Sequence, residues 1–267
     1  MEFRLVATDL DGTLLRSDGR ASARTRAAIQ AVTDRGAVVV ICTARPPRWL
    51  HGIGLDGIAH EVAVAVNGAV VYDVARRSVV RRKTIERETA MALVHGLRRA
   101  VPGVAFAVET AMEFRHEPGY VPRAPVPPGS VIADAEEIVR DDVAKLCVRR
   151  EGGTVLELAT AARELVGDDH AVLTWSSDTL LEIGPPGVTK GSAVAEVAAE
   201  LDVPAAEAIA FGDMPNDLPM LAWAGYAVAV ANAHPEVLAV ADEVTASNDD
   251  DGVAVVLERL ASPVVHA

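Results

Sequence analysis

Short apolar runs recur at both ends of this chain, and helical patterns separate them. Residues 3–8 (FRLVAT) are mostly apolar, and residues 37–42 (AVVVIC) form a second run. Continuous runs of this length are typical of strands buried on both faces in a parallel sheet. Between them, residues 22–35 carry apolar side chains at helical spacing, with Ser22 as the predicted N-cap and Gly36 as the stop. Strand, helix and strand in this order predict a βαβ unit at the front of an α/β domain.

The end of the chain returns to this pattern, whereas the middle part has a different arrangement of apolar and polar residues. From residue 189 onward, helical patterns alternate with apolar runs such as AIAFG at 208–212. In the middle part the candidate strands carry alternating polar residues, which predicts an antiparallel sheet covered on one face by helices. We therefore expect a core built from residues 1–81 and 186–267, with an α/β cap inserted at 82–185.

Within the expected cap, the pattern predicts five strands and two helices. The predicted strands are RRKTI (81–85), VAFAVE (104–109), VAKLCVR (143–149), AVLTWS (171–176) and TLLEIG (179–184), and the predicted helices are 86–100 and 154–166. The stretch MEFRHEPGY (112–120) either faces a substrate through Glu113, Arg115 and His116 or forms a polar loop, and we favour the loop.

Charge and cysteine usage limit the partners and the compartment. The formal net charge of −13 argues against a nucleic acid or an anionic membrane as partner. Cys42 and Cys147 lie in apolar runs without a ligand-spaced neighbour, which predicts buried, reduced thiols. The first residues lack a charged leader with an apolar core, and no uninterrupted apolar stretch approaches membrane-spanning length. We expect a cytoplasmic protein.

Polar side chains follow the predicted core strands at the point where each strand ends. Asp9 and Asp11 follow the first strand, and Thr43 and Arg45 follow the second. Further along are Asp213, Asn216 and Asp217 after AIAFG, and Lys190 at the start of a predicted helix. Because the carboxyl ends of parallel strands share one edge, these groups are expected to converge. An Asp-Gly turn alone would explain Asp11 and Gly12 equally well, so the interpretation depends on the whole set.

Such a cluster suits phosphoryl transfer with a divalent metal. Carboxylates gathered in one pocket repel each other unless a cation lies among them, and hard oxygen ligands suit Mg²⁺. A lysine, a threonine hydroxyl and backbone N–H groups suit the oxygens of a phosphoryl group. An aspartate can act as the nucleophile and form an aspartyl-phosphate.

Four motifs resemble those of haloacid dehalogenase-like hydrolases. They are DLDGT (9–13), the Thr43–Arg45 pair after the second strand, the isolated Lys190 before a helix, and GDMPND (212–217). The inserted segment resembles the C2B type of cap found in the Cof-like sugar-phosphate phosphatases, subfamily IIB. NGA (67–69) and NDDDGVA (248–254) are also similar to that subgroup. The resemblance implies a Rossmann-like, three-layer parallel sheet core with an inserted α/β cap domain.

The resemblance also implies catalytic roles. Asp9 would be the nucleophile, and Asp11 the general acid that protonates the leaving oxygen and then the base that activates water. Asp9, the backbone carbonyl of Asp11, and Asp213 would hold Mg²⁺. Lys190 would neutralise charge on the phosphate and on Asp9.

The remaining site residues would contact or support the phosphate. Thr43 and Asn216 would lie against it, and Leu10 and Gly12 would supply backbone N–H groups. Asp217 would position Lys190 or a metal-bound water, although acids near a helix N-terminus are also common for structural reasons.

Three further residues belong to the predicted site. Ala44 stands where the subgroup usually has glycine, and its methyl group is expected to narrow the mouth of the phosphate site. Arg45 either contacts substrate or pairs with a surface acid. Asn67 suits a hairpin turn between 62–66 and 69–72 as well as a site.

The resulting hypothesis is a Mg²⁺-dependent phosphatase of a small sugar phosphate or cofactor phosphate. A phosphomutase of the phosphomannomutase type would use the same nucleophile, and a phosphometabolite sensor would need no second acid at Asp11. The histidines support no hydrolase triad, since none is paired with Ser or Cys in a recognisable arrangement. Whether the chain is a monomer or a dimer is left open.

Overall fold

The computed structural model describes residues 3–51, 53, 62–122, 125–165 and 170–262, which form three sheets flanked by helices. In chain order the strands are β1 (Leu5–Thr8), β2 (Val38–Ile41), β3 (Val62–Ala65), β4 (Val70–Asp73), β5 (Ser78–Arg82), β6 (Val104–Glu109), β7 (Phe114–His116), β8 (Val131–Ile132), β9 (Lys145–Arg150), β10 (Val172–Thr174), β11 (Leu181–Gly184), β12 (Ala208–Gly212), β13 (Tyr226–Ala229) and β14 (Glu243–Val244). The helices are α1 (Ala23–Thr33), α2 (Arg87–Ala100), α3 (Ala135–Ile138), α4 (Val155–Leu165), α5 (Lys190–Glu200), α6 (Leu218–Trp223), α7 (Pro235–Leu238) and α8 (Gly252–Ala261). Short 3-10 turns lie at Pro47–Trp49, Val66–Gly68, Ala205–Glu207 and Pro215–Asp217.

The central sheet is parallel and has the strand order β14, β13, β12, β1, β2. β1 lies in the middle, with Leu5 opposite Ala208 of β12 and Val38 of β2. All four residues of β1 are buried, as the sequence predicted. The carboxyl ends of β1, β2 and β12 therefore meet at one edge, where ligands bind in sheets of this kind.

Helix α1 begins and ends where its sequence signals predict. Ser22 is the N-cap, and its Oγ accepts a hydrogen bond from the backbone N–H of Thr25 at 3.0 Å. The helix ends before Gly36, which has a φ of +91°. The hairpin predicted at Asn67-Gly68 is also confirmed, since β3 and β4 pair antiparallel with Ala65 opposite Val70.

A small sheet of the order β3, β4, β5 extends this edge of the core. The backbone N–H of Thr43 donates to the carbonyl of Val64 at 2.8 Å and joins the two sheets. The strand predicted over 81–85 has the wrong bounds, because β5 ends at Arg82 and pairs with β4 rather than with the strands of the predicted cap. The short turn after Asp73 folds the chain straight back onto β4, and this local pairing decides where β5 goes.

The middle segment forms a mixed sheet in the order β10, β11, β9, β6, β7, β8. All its pairs are antiparallel except β7 with β8. Strands β6, β9, β10 and β11 lie within predicted segments or one residue beyond them, whereas β7 and β8 were not predicted as strands. Helices α2 and α4 match the two predicted helices up to Leu165, since 166 lies outside the described residues. The boundaries proposed for the cap, 82 and 185, stay a prediction.

Part of the stretch predicted as a polar loop is a strand. Residues Phe114–His116 form β7, and all three are buried. Arg115, only 2% exposed, donates hydrogen bonds to Glu113, to Asp142 and to the carbonyl of Ile138. The polar pattern was misleading because Asp142, one of the two acids that pair with this buried arginine, lies 27 residues away.

Two large apolar clusters hold the two parts of the fold. One contains the faces of the central sheet with α1, α5 and α8, and the other joins α2, α3 and α4 to one face of the middle sheet. Cys42 and Cys147 are buried and free, as predicted. Within the described part of the chain, no helix combines the length and the apolar character that crossing a bilayer requires.

Candidate active site

The loop after β1 carries two aspartates and depends on one glycine. The backbone N–H of Asp9 still donates to the carbonyl of Phe211 on β12, at 3.0 Å. The chain then turns sharply, with the carbonyl of Leu10 accepting from the N–H of Leu15 at 2.8 Å. Gly12 has a φ of +80°, and a Cβ there would lie 2.3 Å from Oδ2 of Asp213. Any side chain at this position would be strained and would collide with the acid.

Lys190 is buried between two carboxylates at the start of α5. Its Nζ donates to Oδ1 of Asp9 and to Oδ1 of Asp217, both at 2.6 Å. The helix start is fixed by a capping box, in which Thr189 and Ser192 exchange side-chain and backbone hydrogen bonds. These contacts place the ammonium group against the end of β1.

Asp217 has no free oxygen. Its Oδ1 accepts from Lys190, and its Oδ2 accepts from the backbone N–H groups of Asp213 and Met214, both at 3.0 Å. The side chain is fully buried. Asp217 therefore orients Lys190 and the loop that carries Asp213.

The site has an excess of negative charge that a divalent cation would balance. Carboxylate oxygens of Asp9, Asp213 and Asp217 all lie within 4.8 Å of one another, against the single positive charge of Lys190. Burial, reinforced by Asp217, raises the pKa of Asp213 to about 7, although a hydrogen bond from Thr13 opposes the shift. Burial also raises the pKa of Asp9, despite the attraction of Lys190.

The lysine keeps its charge in this setting. Burial disfavours the ammonium form, but the attraction of Asp217 and Asp9 outweighs it and raises the pKa of Lys190. Three carboxylates and one ammonium leave the cluster short of positive charge. Among the described residues, this cluster consists of three carboxylates, whose hard oxygens suit Mg²⁺, so the residues present fit the metal that the sequence predicted.

Asp11 lies apart from this cluster and is held by Arg45. The guanidinium donates from Nε to Oδ2 at 2.7 Å and from Nη2 to Oδ1 at 2.5 Å. The carboxylate is 57% exposed, in contrast to the buried Asp9. Of the two roles left open for Arg45, pairing with an acid is the one observed, and the acid is Asp11.

The loop after β2 and the turn Val66–Gly68 hold each other in place. The N–H groups of Val66 and Asn67 donate to the carbonyls of Arg45 and Thr43, both at 3.0 Å. Val66 and Asn67 both have positive φ, which is unusual for a β-branched residue. A Cβ on Gly68 would lie 2.3 Å from the carbonyl oxygen of Thr189, next to Lys190.

This turn also brings Asn67 into the site. Oδ1 of Asn67 accepts from Nδ2 of Asn216 at 3.0 Å. Nδ2 of Asn67 and Oδ1 of Asn216 are buried and have no partner among the described residues. Asn67 therefore forms the turn and places an unpaired amide next to Asn216, while its role in the site stays a prediction.

A cavity of about 670 Å³ lies over this edge of the sheet. Of the predicted site residues, seven line it: Asp9, Asp11, Thr43, Ala44, Arg45, Asp213 and Asn216. The others, Lys190, Asp217, Leu10, Gly12 and Asn67, are not part of its wall. Lys190 and Asp217 lie behind Asp9, and the Leu10 side chain packs in the apolar core.

Residues of the middle segment close the cavity from the other side. Arg48, in the loop after β2, forms a two-pronged ion pair with Glu109 at the end of β6, at 2.8 and 2.7 Å. Lys145 of β9 donates to the carbonyl of Ala44 at 3.0 Å and pairs with Glu182 of β11. The sequence pattern gave no signal for these contacts, since the partners are more than 35 residues apart.

Sequence reasoning also missed three residues that support the loop after β1. Oγ1 of Thr13 donates to Oδ1 of Asp213 at 2.7 Å. Nδ2 of Asn232 donates to the carbonyl of Gly12, and Nδ2 of Asn248 donates to the carbonyl of Leu15. Thr13 belongs to DLDGT and Asn248 begins NDDDGVA, so both motifs were visible although these contacts were not.

The model of one protein family matches nearly all of the described core and middle segment. Residues 6–257 match the family described as haloacid dehalogenase-like hydrolase. The chain belongs to this family.

Curated relatives of the chain include several phosphatases. The 5-amino-6-(5-phospho-D-ribitylamino)uracil phosphatase YcsE of Bacillus subtilis is 30% identical over 260 residues, which cover 95% of this chain and 94% of that protein. The HMP-PP phosphatase of Enterobacter sp. (strain 638) is 28% identical over 242 residues, which cover 88% of this chain and 87% of that protein. The chloroplastic Endoribonuclease YBEY of Arabidopsis thaliana is 30% identical across 97% of this chain, but the chain spans about half (47%) of that longer protein.

Several solved structures share the fold of this chain. The Streptococcus mutans protein SMU.1108c aligns with a TM-score of 0.86 at 24% identity, over 98% of this chain and 100% of its own. The sugar phosphatase BT4131, of haloacid dehalogenase subclass IIB, aligns with a TM-score of 0.82 at 20% identity, over 96% of this chain and 98% of that protein. The predicted family and fold class are confirmed, and the protein is a phosphatase of the haloacid dehalogenase-like family.

Proposed function

We propose that this phosphatase hydrolyses small phosphomonoesters through an aspartyl-phosphate on Asp9, with Mg²⁺ as cofactor. One observation carries the proposal: Asp9 lines the cavity while Lys190 binds only its Oδ1. None of the described residues donates a hydrogen bond to Oδ2. A carboxylate fixed through one oxygen, with the other left for a ligand, suits a nucleophile.

The first step is attack by the free oxygen of Asp9 on the phosphorus of the substrate. The bond from phosphorus to the leaving oxygen breaks, and Asp11 gives its proton to that oxygen. In the second step a water attacks the same phosphorus, Asp11 takes the proton of the water, and Asp9 is released with inorganic phosphate. Lys190 neutralises charge on Asp9 and the transferred group in both steps.

Asp9, Asp213 and the backbone carbonyl of Asp11 are the proposed ligands of Mg²⁺. When bound, Mg²⁺ would neutralise part of the negative charge of the phosphoryl oxygens. Thr13 keeps Asp213 in place through its hydroxyl. Asp217, whose oxygens are both occupied, is proposed to position Lys190 rather than to bind the metal.

Thr43, Asn216 and Ala44 are the proposed contacts of the phosphate on the cavity wall, and the N–H groups of Leu10 and Gly12 complete them. Asp11 requires a rearrangement before it can act. Both its oxygens accept hydrogen bonds from Arg45, whereas a general acid needs one oxygen free to carry the proton. The proposal therefore requires that this pair opens when a phosphate enters, with Arg45 turning toward the phosphate.

The proposed substrates are small phosphorylated metabolites. The relatives named above act on a phosphoribitylamino compound and on HMP-PP by their names. A cavity of about 670 Å³ accommodates a ligand of that size. A cytoplasmic location and the absence of nucleic-acid or membrane partners stay predictions, as does the choice between monomer and dimer.

Release of inorganic phosphate from a panel of small phosphomonoesters tests the proposal. The wild type is compared with Asp9→Asn and with Asp18→Asn, a control at an exposed aspartate on the same loop. We expect turnover that needs Mg²⁺, is lost in Asp9→Asn and is kept in Asp18→Asn. Turnover by Asp9→Asn, or activity unaffected by metal removal, would overturn it. Substrate conversion without phosphate release would favour a phosphomutase.

A further inference from the structure

One edge of the cavity contains a basic residue that forms no ion pair with any acid among the described residues. Strand β9 alternates its side chains between two surroundings. Leu146 and Val148 pack in the apolar cluster with the helices, whereas Lys145, Cys147 and Arg149 line the cavity. The cavity therefore has two basic groups along one strand, separated by four residues, or about 13 Å of strand length.

The other three basic residues of the cavity wall are each paired with an acid. Arg45 binds Asp11, Arg48 binds Glu109, and Lys145 binds Glu182. Arg149 has no ion pair with any described residue. Its Nε is buried and lacks a hydrogen-bond partner among the described residues. A guanidinium with an unused donor at a cavity wall suits an anionic ligand group.

The neighbours of Arg149 do not supply the missing negative charge. Its guanidinium lies 5.9 Å from the centre of the Tyr120 ring, and the carboxylate of Glu182 is engaged by Lys145 and Ser176. Burial raises the pKa of Tyr120, and it raises the pKa of Cys147 to about 12. Both groups therefore stay neutral near pH 7, and the arginine charge is not compensated from within the wall.

We propose that Arg149 binds a second anionic group, a carboxylate or a phosphate, at the end of the leaving group remote from the transferred phosphate. This proposal rests on the proposed function, since it assumes that the transferred phosphate lies at Asp9. Lys145 contacts Ala44 beside Thr43, so it marks the end of β9 nearest the proposed phosphate site. Arg149 lies near the other end, four residues further along the strand.

The substrate class that follows is a phosphorylated acid or a bisphosphate of a short carbon chain. A phosphate monoester with a neutral leaving group would leave the partly buried Arg149 without an anionic partner at the cavity wall. A hydrogen-bonded ion pair with a partly buried arginine is expected to favour the anionic compound by about 10- to 100-fold in kcat/KM.

Two substrate pairs that differ in one charged group test the proposal. They are 6-phosphogluconate with glucose 6-phosphate, and 4-phosphoerythronate with erythrose 4-phosphate. The ratio of kcat/KM, acid over neutral compound, is measured for wild type, Arg149→Gln and Arg149→Lys. Arg150→Gln is the matched control, since Arg150 is the next residue of β9, does not line the cavity and pairs with Glu157.

For at least one of the two substrate pairs, we expect kcat/KM of the acid to exceed that of the neutral compound by about 10-fold or more, both in the wild type and in Arg150→Gln. Arg149→Gln should bring that ratio close to one, and Arg149→Lys should restore part of it. If Arg149 only packs against Tyr120, the variants change thermal stability but not the ratio. Ratios near one in the wild type for both pairs, or ratios unchanged in Arg149→Gln, would overturn the proposal.

A binding measurement separates this proposal from failure of the proposed function. The same pairs are titrated calorimetrically into Asp9→Asn and into Asp9→Asn with Arg149→Gln, in the presence of Mg²⁺. Tighter binding of the acid that depends on Arg149 supports the subsite even if no turnover is found. Equal binding of acid and neutral compound overturns the subsite even if the wild type hydrolyses both.

Discussion

At the scale of single residues, Lys190 is the group whose loss should cost most. It is fully buried between Asp9 and Asp217, at 2.6 Å from each. Removing one partner of a buried ion pair typically costs about 3–5 kcal/mol, because it leaves charge without a counterion. We expect Lys190→Met to lower the free energy of unfolding by about that amount, measured by urea unfolding without metal.

A double substitution checks the cause of that loss. In Lys190→Met two carboxylates face each other, so adding Asp9→Asn removes one of them. The double variant should therefore be less destabilised than the sum of the two single variants. Strict additivity, or a loss below about 1 kcal/mol for Lys190→Met, would contradict the ion-pair account.

Titration of Asp213 should lower the free energy of unfolding of the metal-free protein as the pH rises from about 4 to 7. Its pKa is about 7 in the fold, against an ordinary value of 3.8. Between those values the folded chain holds a proton that the unfolded chain has lost. The stability that this group contributes is thus fully present below about pH 4 and is lost as the pH rises toward 7.

The comparison with Asp213→Asn isolates this effect. In EDTA, raising the pH from about 4 to 7 should lower the unfolding free energy of the wild type relative to that of the variant by a few kcal/mol. Each unit of pKa shift corresponds to about 1.4 kcal/mol. Mg²⁺ should reverse the trend in the wild type, because a bound cation favours the carboxylate. Parallel pH curves for the two proteins would contradict the assignment.

At the scale of elements, the turn after β1 links strand geometry to the site. Gly12 and Gly19 have similar φ values, +80° and +77°, so alanine is equally strained at both. Only at Gly12 would the added Cβ meet an atom, Oδ2 of Asp213 at 2.3 Å, whereas at Gly19 nothing lies within 4 Å. Gly12→Ala should weaken Mg²⁺ binding and lower kcat about tenfold or more, by displacing a proposed metal ligand.

The matched variant Gly19→Ala should keep both properties and lose only about 1 kcal/mol of stability through backbone strain. Calorimetric titration with Mg²⁺ and steady-state kinetics are the measurements. Similar effects of the two substitutions would show that strain, and not the contact with Asp213, is responsible.

The elements that the sequence predicted best are those whose signals are local. β1, β12 and α1 have continuous apolar runs or caps, and the parallel order then brings Asp9 and Asp213 to one edge. β7 was missed because its central residue, Arg115, is polar yet buried, and its partner Asp142 is distant in sequence. β5 was misplaced because a short turn, not its own composition, selects its neighbour.

The candidate site divides in the same way. Asp9, Asp213, Asp217 and Lys190 could be predicted because each occupies a motif at a strand or helix end. The pairing of Asp11 with Arg45 could not, since it depends on how two loops approach each other. The residues of the middle segment that line the cavity, including Arg149, could not be predicted either. The alternation of side chains along β9 shows which of them face the cavity only when the neighbouring strands are known.

At the scale of the whole molecule, a few buried contacts hold the middle segment over the core. Arg48 and Glu109 are 15% and 6% exposed and form the two-pronged pair across the cavity. Burial raises the pKa of Glu109 even though Arg48 opposes the shift. This pair is the contact whose weakening should open the predicted cap.

Glu109→Gln should loosen that closure, because it removes the charge that balances Arg48. We expect a larger radius of gyration by small-angle X-ray scattering and a KM raised about tenfold for a small phosphomonoester. Glu157→Gln is the control, since it breaks an ion pair with Arg150 within the middle segment, where surface pairs contribute little. An unchanged radius and KM in Glu109→Gln would mean that other contacts keep the cap closed.

The central claim for the molecule is covalent catalysis by Asp9, and trapping the phosphoryl group tests it most directly. Asp11→Asn is mixed with p-nitrophenyl phosphate and Mg²⁺, because a good leaving group needs no general acid while hydrolysis of the intermediate still needs a base. We expect a burst of nitrophenolate equal to the enzyme concentration. Mass spectrometry of the acid-quenched protein should find one phosphoryl group on the peptide that contains Asp9. Phosphate on another residue, or a burst without any labelled protein, would contradict the account.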